Sequence, residues 1–220
     1  MQFDFQYALS ILPILLQATV VTIAATIGGM VVALVVGLLV AILRITNLPV
    51  LGLVLAIVVD FVRTTPLLIQ LYVVYYVLPL YGLVLPAFET GVVVLGLNYS
   101  AYTSEVYRAG LLSVHRGQWE AATALNLSAS RTLIDIIVPQ AVRPMVPALG
   151  NYLIGMFKET PLLATITVPE LLATAEKLSF SSFKYLETFT MVGLIFLMLS
   201  YPSSRLIHRL EAKQSVPNVD

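Results

Sequence analysis

The chain has 220 residues, of which 59% are hydrophobic and only 11% charged, far more apolar surface than one soluble core could hide. Its 12 basic and 12 acidic residues cancel, which removes overall charge as a reason to bind nucleic acid; with no cysteine, disulfides, thiolate metal sites and cysteine nucleophiles are excluded. The composition suits a bilayer, and the pattern is that of an all-α integral membrane protein.

In chain order, the opening "MQFDFQYALS" carries Asp4 and no Lys or Arg. It is unlike a cleavable signal peptide and reads as a short interfacial segment with Phe3, Phe5 and Tyr7 at the headgroup level. A spanning helix needs about 20 mostly apolar residues. Five such runs follow, at 14–43, 50–78, 83–112, 136–158 and 186–207, which make residues 1–220 a single transmembrane domain. Gly28, Gly29 and Gly37 in the first run, and Gly150 and Gly155 in the fourth, permit close helix approach. Tyr72, Tyr75, Tyr76 and Tyr81 fall where the second run should reach the outer interface, as an aromatic belt would. The tail "EAKQSVPNVD" reads as a disordered end.

Arg44, Arg116, Arg131, Arg143, Arg205, Arg209 and Lys213 fall on one side of these spans. The opposite loops, 79–90 and 160–185, hold Lys177 and Lys184 against Glu89, Glu170 and Glu176. The positive-inside rule then puts the N-terminus outside, the C-terminus in the cytoplasm and the 113–135 segment in the cytoplasm.

That cytoplasmic excursion, "GQWEAATALNLSASRTLIDIIVPQ", has good helix formers from Glu120 to Leu125, then Asn126, then Ser128 as an N-cap for a second short helix. Ala121, Ala122, Leu125, Leu133, Ile136 and Ile137 give it one apolar face. Two readings stand: an amphipathic linker on the membrane surface, or a docking element whose small alanines and single acid, Glu120, suit a groove on another protein.

Polar residues inside spans are costly in lipid and mark cavities or pairs. Asn98, Tyr102 and Glu105 lie on one stripe of the third span, and Asp60, Arg63 and Gln70 close to one face of the second. Lys158, Glu159 and Thr160 precede Pro161, which ends or breaks the fourth span and can free carbonyls toward a cavity. Glu159 is the acid suited to a cationic or zwitterionic ligand. Each group has an alternative. Asp60 with Arg63, and Glu105 with Arg108, can be neutralising ion pairs, and Asn98 and Tyr102 can bond between helices. His115 and His208 fall near the cytoplasmic boundary, without a catalytic context. There is no GxxxxGK[ST] loop, HExxH pair or GxSxG elbow, so any ATP hydrolysis belongs to another chain.

The excursion resembles the cytoplasmic signature of binding-protein-dependent ABC importer permeases: Glu120, Ala121 and Ala122, a turn position four residues on, then Ile136, Ile137 and Pro139. Asn126 stands where that signature has glycine; asparagine is the next most tolerant residue for a left-handed backbone. "LPILLQATVVTIAAT", "DFVRTTPLLIQLYVVYYVLP", "NYSAYTSEVYRAGLLSVHRGQWEAA" and "FKETPLLATITVPELL" resemble, in the same order, segments of the permeases for polar amino acids, a subfamily that includes carriers of compatible solutes such as ectoine. The resemblance covers nearly the whole chain. It implies a type I ABC importer permease fold in a bacterial cytoplasmic membrane, no cofactor on this chain, and ATP with magnesium on a partner ATPase docked at the coupling segment. It further implies a solute-binding protein outside and a second permease, identical or related. An ion-coupled secondary transporter and a membrane scaffold are the alternatives; five spans without visible repeats argue against the first, and the excursion would have no purpose in the second.

Overall fold

A computed structural model describes residues 3–45 and 49–214, and those residues form helices and turns without a strand. The first helix, α1 (Phe5–Ile45), runs 41 residues, about 60 Å at the helical rise and roughly twice the hydrocarbon thickness. Its buried positions, Ala18, Thr22, Ala25, Gly29, Ala33, Gly37 and Ala41 among them, recur at three- and four-residue steps and are nearly all small. This stripe lets the backbone of another helix come close.

That helix is α4 (Ala87–Leu112). A Cβ on Gly96 would collide with Val32, and one on Gly37 with Thr103. The short separation lets Thr103 Oγ1 donate across the interface to the carbonyl of Ala33, at 2.7 Å.

Between them the chain does not form the straight second span expected at 50–78. α2 (Pro49–Thr64) and α3 (Leu67–Tyr72) are separate helices, and the arm from Leu67 to Tyr81 is bent by 101° from α2. Pro66 explains the break: it has no N–H for the helical ladder and biases Thr65 away from the helical region. After α3 the arm continues through a π-helical turn, Val73–Val77, and a 3-10 turn, Leu78–Tyr81.

After α4 come α5 (Arg116–Ala124) and α6 (Ala129–Arg131). Asn126 adopts φ 51°, the left-handed conformation anticipated for it, and the Ser128 hydroxyl accepts from Arg131 N as an N-cap. The excursion is not a free linker. A π-helical turn, Thr132–Ile137, fuses it to α7 (Val138–Glu159), and Val114, Ile137, Ala141 and Met145 form a small core with Val106 and Leu111 of α4. The single apolar face expected for it is divided: Ala122 and Ile137 are buried, whereas Leu125 is 73% exposed and Leu133 is also exposed.

α7 runs through Pro144 and Pro147 and ends at Glu159, two residues before Pro161, but the chain stays helical through a 3-10 segment, Thr160–Ile166, and turns at Thr167 with φ 67°. The span expected as a loop, 160–185, also contains α8 (Leu171–Ser182). Glu170 caps α8 by accepting from Ala173 N at 2.7 Å; it is fully buried, and burial raises its carboxyl pKa. Phe183, at φ 58°, turns the chain into α9 (Tyr185–Gln214). Residues 211–214 are thus helical rather than part of a disordered tail, and 215–220 lie outside the described residues.

From Phe3 on, the opening residues run straight into the first helix. α1 begins at Phe5, and Asp4 pairs with Lys184 while its N–H donates to Glu187. The Tyr7 and Ser182 hydroxyls meet at 2.7 Å. The N-terminal half of α1 then packs through Ile11 and Leu15 on Leu171, Ala175, Val192 and Ile195 of α8 and α9.

Among the described residues, three helical segments, α1, 129–166 and α9, are long and apolar enough to cross a membrane, and the bent α2–α3 pair makes four. α4, counted among the five expected spans, has the length, at 26 residues. It is less apolar because Asn98, Ser100, Thr103 and Ser104 are buried against neighbouring helices, where polar groups find partners.

Candidate translocation cavity

At the end of α2 two threonine hydroxyls back-bond to carbonyls that the helical pattern already pairs, and just beyond them the break leaves carbonyls without their helical N–H, which a side chain meets. Thr64 Oγ1 donates to the Asp60 carbonyl and Thr65 Oγ1 to the Phe61 carbonyl, each at 2.8 Å. Val62 would ordinarily receive an N–H from residue 66, which is proline. The side-chain amide of Gln70 takes that place, with Nε2 donating to Val62 O at 2.9 Å and to Thr65 O at 3.0 Å. Its Oε1 accepts from Asn98 Nδ2 of α4 at 3.2 Å.

Behind the break, α2, α3, α4 and α7 enclose an open cavity of about 470 Å³, within the usual range for small-molecule sites. Arg63, Thr64, Thr65 and Pro66 form one wall, Asn98, Tyr99 and Tyr102 a second, and Tyr152, Gly155 and Glu159 a third. The Tyr99, Tyr102 and Tyr152 rings lie 5.6 to 6.1 Å apart between centroids. Tyr99 donates its hydroxyl to Glu159 Oε2 at 3.0 Å. Gly155 is what lets Tyr99 reach that acid: a Cβ there would sit 3.2 Å from the Tyr99 oxygen.

Of the residues expected to line a path, Asn98, Tyr102 and Glu159 meet in this cavity, and Gln70 stands behind its wall. Three do not. Glu105 is held by Arg44 of α1 and by Arg108 one turn along α4, because two guanidiniums satisfy both of its oxygens. Lys158 is exposed, and Thr160 is buried with its hydroxyl donating to Phe157 O. Asp60 and Arg63 do not pair. Arg63 lies 5.2 Å from the centroid of the Tyr102 ring, a cation–π arrangement that draws it away from Asp60. Tyr75 and Tyr76, two of the four tyrosines expected in an aromatic belt, bond Thr167 Oγ1 at 3.1 Å and the Thr165 carbonyl at 2.9 Å, tying the bent arm to the turn after α7. Tyr99 and Tyr152 were absent from the sequence expectation. The signals were the three-residue step from Tyr99 to Tyr102 and a lone tyrosine three residues before Gly155.

On the excursion, Glu120 pairs with Arg116 at 3.0 Å, and its side chain is 66% exposed. Ala121, Asn126 and Pro139 are exposed as well, whereas Ala122 is buried.

A family model for the inner membrane component of binding-protein-dependent transport systems matches residues 33–216. The chain belongs to this family. Similar chains include a probable amino-acid ABC transporter permease of Sinorhizobium fredii, 42% identical over 97% of this permease and 94% of that one. The glutamine transport system permease of Escherichia coli is 31% identical over 98% and 100%. The crystal structure of an amino acid ABC transporter with histidines contains a chain that superposes with a TM-score of 0.90 at 30% identity, covering 97% of this permease and 100% of that chain. A chain of an inward-facing methionine ABC transporter shares the fold, with a TM-score of 0.70 at 16% identity over 89% and 95%. The permease is therefore a multi-pass transport component with the ABC importer permease fold, which sets aside the secondary-transporter and scaffold alternatives.

Proposed function

We propose that the permease passes a polar amino acid or a related small zwitterion, ectoine-like solutes included, through the α2–α4–α7 cavity. The supporting observation is the cavity's charge pattern: its charged lining is one guanidinium, Arg63, and one carboxylate, Glu159, among tyrosine, threonine and amide groups. A zwitterion offers the complementary pair, a carboxylate for Arg63 and an ammonium for Glu159 and the tyrosine faces. The names of the amino-acid and glutamine permeases it resembles favour the same class.

In this reading the chain sits in a bacterial inner membrane with five spans, α4 being the most enclosed, the N-terminus outside and the C-terminus in the cytoplasm. It works beside a second permease, identical or related, receives solute from a binding protein outside, and carries no cofactor of its own. A separate ATP-binding subunit with its magnesium docks on the surface around Glu120, Ala121, Ala122, Asn126 and Pro139. Rigid attachment of that surface to α4 and α7 lets closure of the ATPase pair bias the cavity between its two access states.

The test uses the importer purified with its native partners and reconstituted in liposomes, with labelled glutamine, histidine, arginine, glutamate and ectoine as probes. ATP-dependent uptake of at least one is expected, with KM raised about tenfold or more in Glu159→Gln, the loss of one charge-assisted contact. Glu120→Lys should insert normally yet separate ATP hydrolysis from uptake. Failure of all five probes in the wild type would overturn the substrate reading.

A further inference from the structure

Gln70 does not itself line the cavity, yet through the lining residues it holds it dictates what the cavity presents. Val62 O and Thr65 O are acceptors only, so the Gln70 amide can face them only through Nε2. That leaves Oε1 for α4, and Asn98 can answer it only with Nδ2. Asn98 is then fixed in one of its two amide orientations. Its Oδ1 makes no hydrogen bond among the described residues, and Asn98 lines the cavity. The break at Pro66 therefore sets, through Gln70, the polarity of a group on the opposite wall.

Resting on the proposed zwitterion site, we infer that Asn98 Oδ1 is a specificity-determining acceptor for an N–H of the cargo, and that Gln70 is the positioning residue that keeps this acceptor, rather than the amide NH₂, turned toward it. Asn98 and Glu159 then both present oxygen to the cargo. Solutes with N–H donors are favoured, and isosteres bearing only acceptors are rejected, since they would face unpaired oxygens. Gln70 acts without touching the cargo, through its hydrogen bonds to the break's freed carbonyls and to Asn98.

An aspartate at 98 cannot be turned the wrong way round, because both of its outer atoms are acceptors. That gives a decisive combination. In the reconstituted importer, with the best of the five labelled solutes as probe, Gln70→Leu should raise KM about tenfold with little change in maximal rate. Adding Asn98→Asp should return KM to within about threefold of the wild type. Gln70→Met serves in place of Gln70→Leu if the latter fails to insert. A double variant as poor as the Gln70 variant alone would overturn the inference, leaving Gln70 a purely structural brace. A second readout needs no cargo: with ¹⁵N-asparagine labelling, the Asn98 side-chain NH₂ should exchange slowly with solvent in the wild type and quickly in the Gln70 variant. Fast exchange in the wild type overturns the assigned polarity whatever the permease carries. No uptake of any probe overturns the proposed function instead, and the exchange rates still decide the polarity.

Discussion

α4 meets α1 on one side and the broken α2–α3 arm on the other, and the two contacts could hardly differ more. Against α1 there is no room: Gly37 and Gly96 bring backbones together, and Thr103 bonds straight to a carbonyl of the facing helix. Against the break there is a cavity, and contact is made by polar side-chain tips, Asn98 to Gln70 and the Tyr102 hydroxyl to Arg63 O. One helix thus serves as a fixed strut on one face and as a cavity wall on the other. The difference lies in whether small residues or a proline stand opposite it.

The strut side should break first and hardest. Gly37→Leu places a side chain where the Ser100 carbonyl and the Ser104 nitrogen would lie only 3.0 and 3.1 Å from its Cβ, so a loss of about 3 kcal/mol is expected from overpacking. It should appear as a lower melting temperature and aggregated material after purification in detergent. A wild-type melting curve would contradict the tight-interface account. The cavity side should separate function from stability. Pro66→Ala restores an N–H that can compete with Gln70 for the Val62 carbonyl, straightening the arm. Uptake is expected to fall about tenfold with the melting temperature at or above that of the wild type; normal uptake would show that the bend is dispensable.

Smaller effects sharpen the comparison at the ends of α1. Glu105→Gln weakens the link between Arg44 and Arg108, at a cost of about 1 kcal/mol for a partly exposed network, measurable against an Arg44→Met background, where little further loss is expected. At the other end, Lys184 holds the Asp4 carboxyl below the usual carboxylate range, chiefly through their hydrogen bond. Because the folded value is the lower one, the contribution of this pair is complete above the ordinary carboxylate pKa and is lost as pH falls through the depressed value. Between about pH 7 and pH 3 the wild type should therefore lose slightly more melting temperature than Asp4→Asn. Equal losses would mean that the pair adds nothing.

The helical membrane fold was legible because it depends on long apolar runs, which composition exposes directly. The left-handed Asn126 and the Ser128 cap were legible for a similar reason, since both are local backbone requirements met by one residue type. The bend was not read, although Pro66 was in plain view, because the run stays apolar on both sides and hydropathy does not register direction. α8 was hidden in a stretch taken for a loop; "PELLATAEK" offers a capping acid and good helix formers but is too short for a span. Within the cavity, helical spacing correctly united Asn98 and Tyr102 but also enlisted Glu105, whose partner Arg44 is 61 residues away in sequence. Such long-range pairing is invisible to a one-helix stripe, as is the attraction of the Tyr102 face that takes Arg63 from Asp60.

The length of α1 has a mechanical meaning. One helix takes part both in the core around Leu95 and Met156 and, farther toward its N-terminus, in the core with α8 and α9; its one proline, Pro13, sits beside Ile11 and Leu15 of the second core, so no proline interrupts the ladder between there and the grip on α4. It is a lever: about 40 Å of helix runs from the grip at Ala33 to the N-terminal end, and pivoting it by about 5° carries that end about 3.5 Å. A small tilt where α1 grips α4 would therefore reach the α8–α9 turn as a displacement comparable to a side chain, delivered without any element having to unfold.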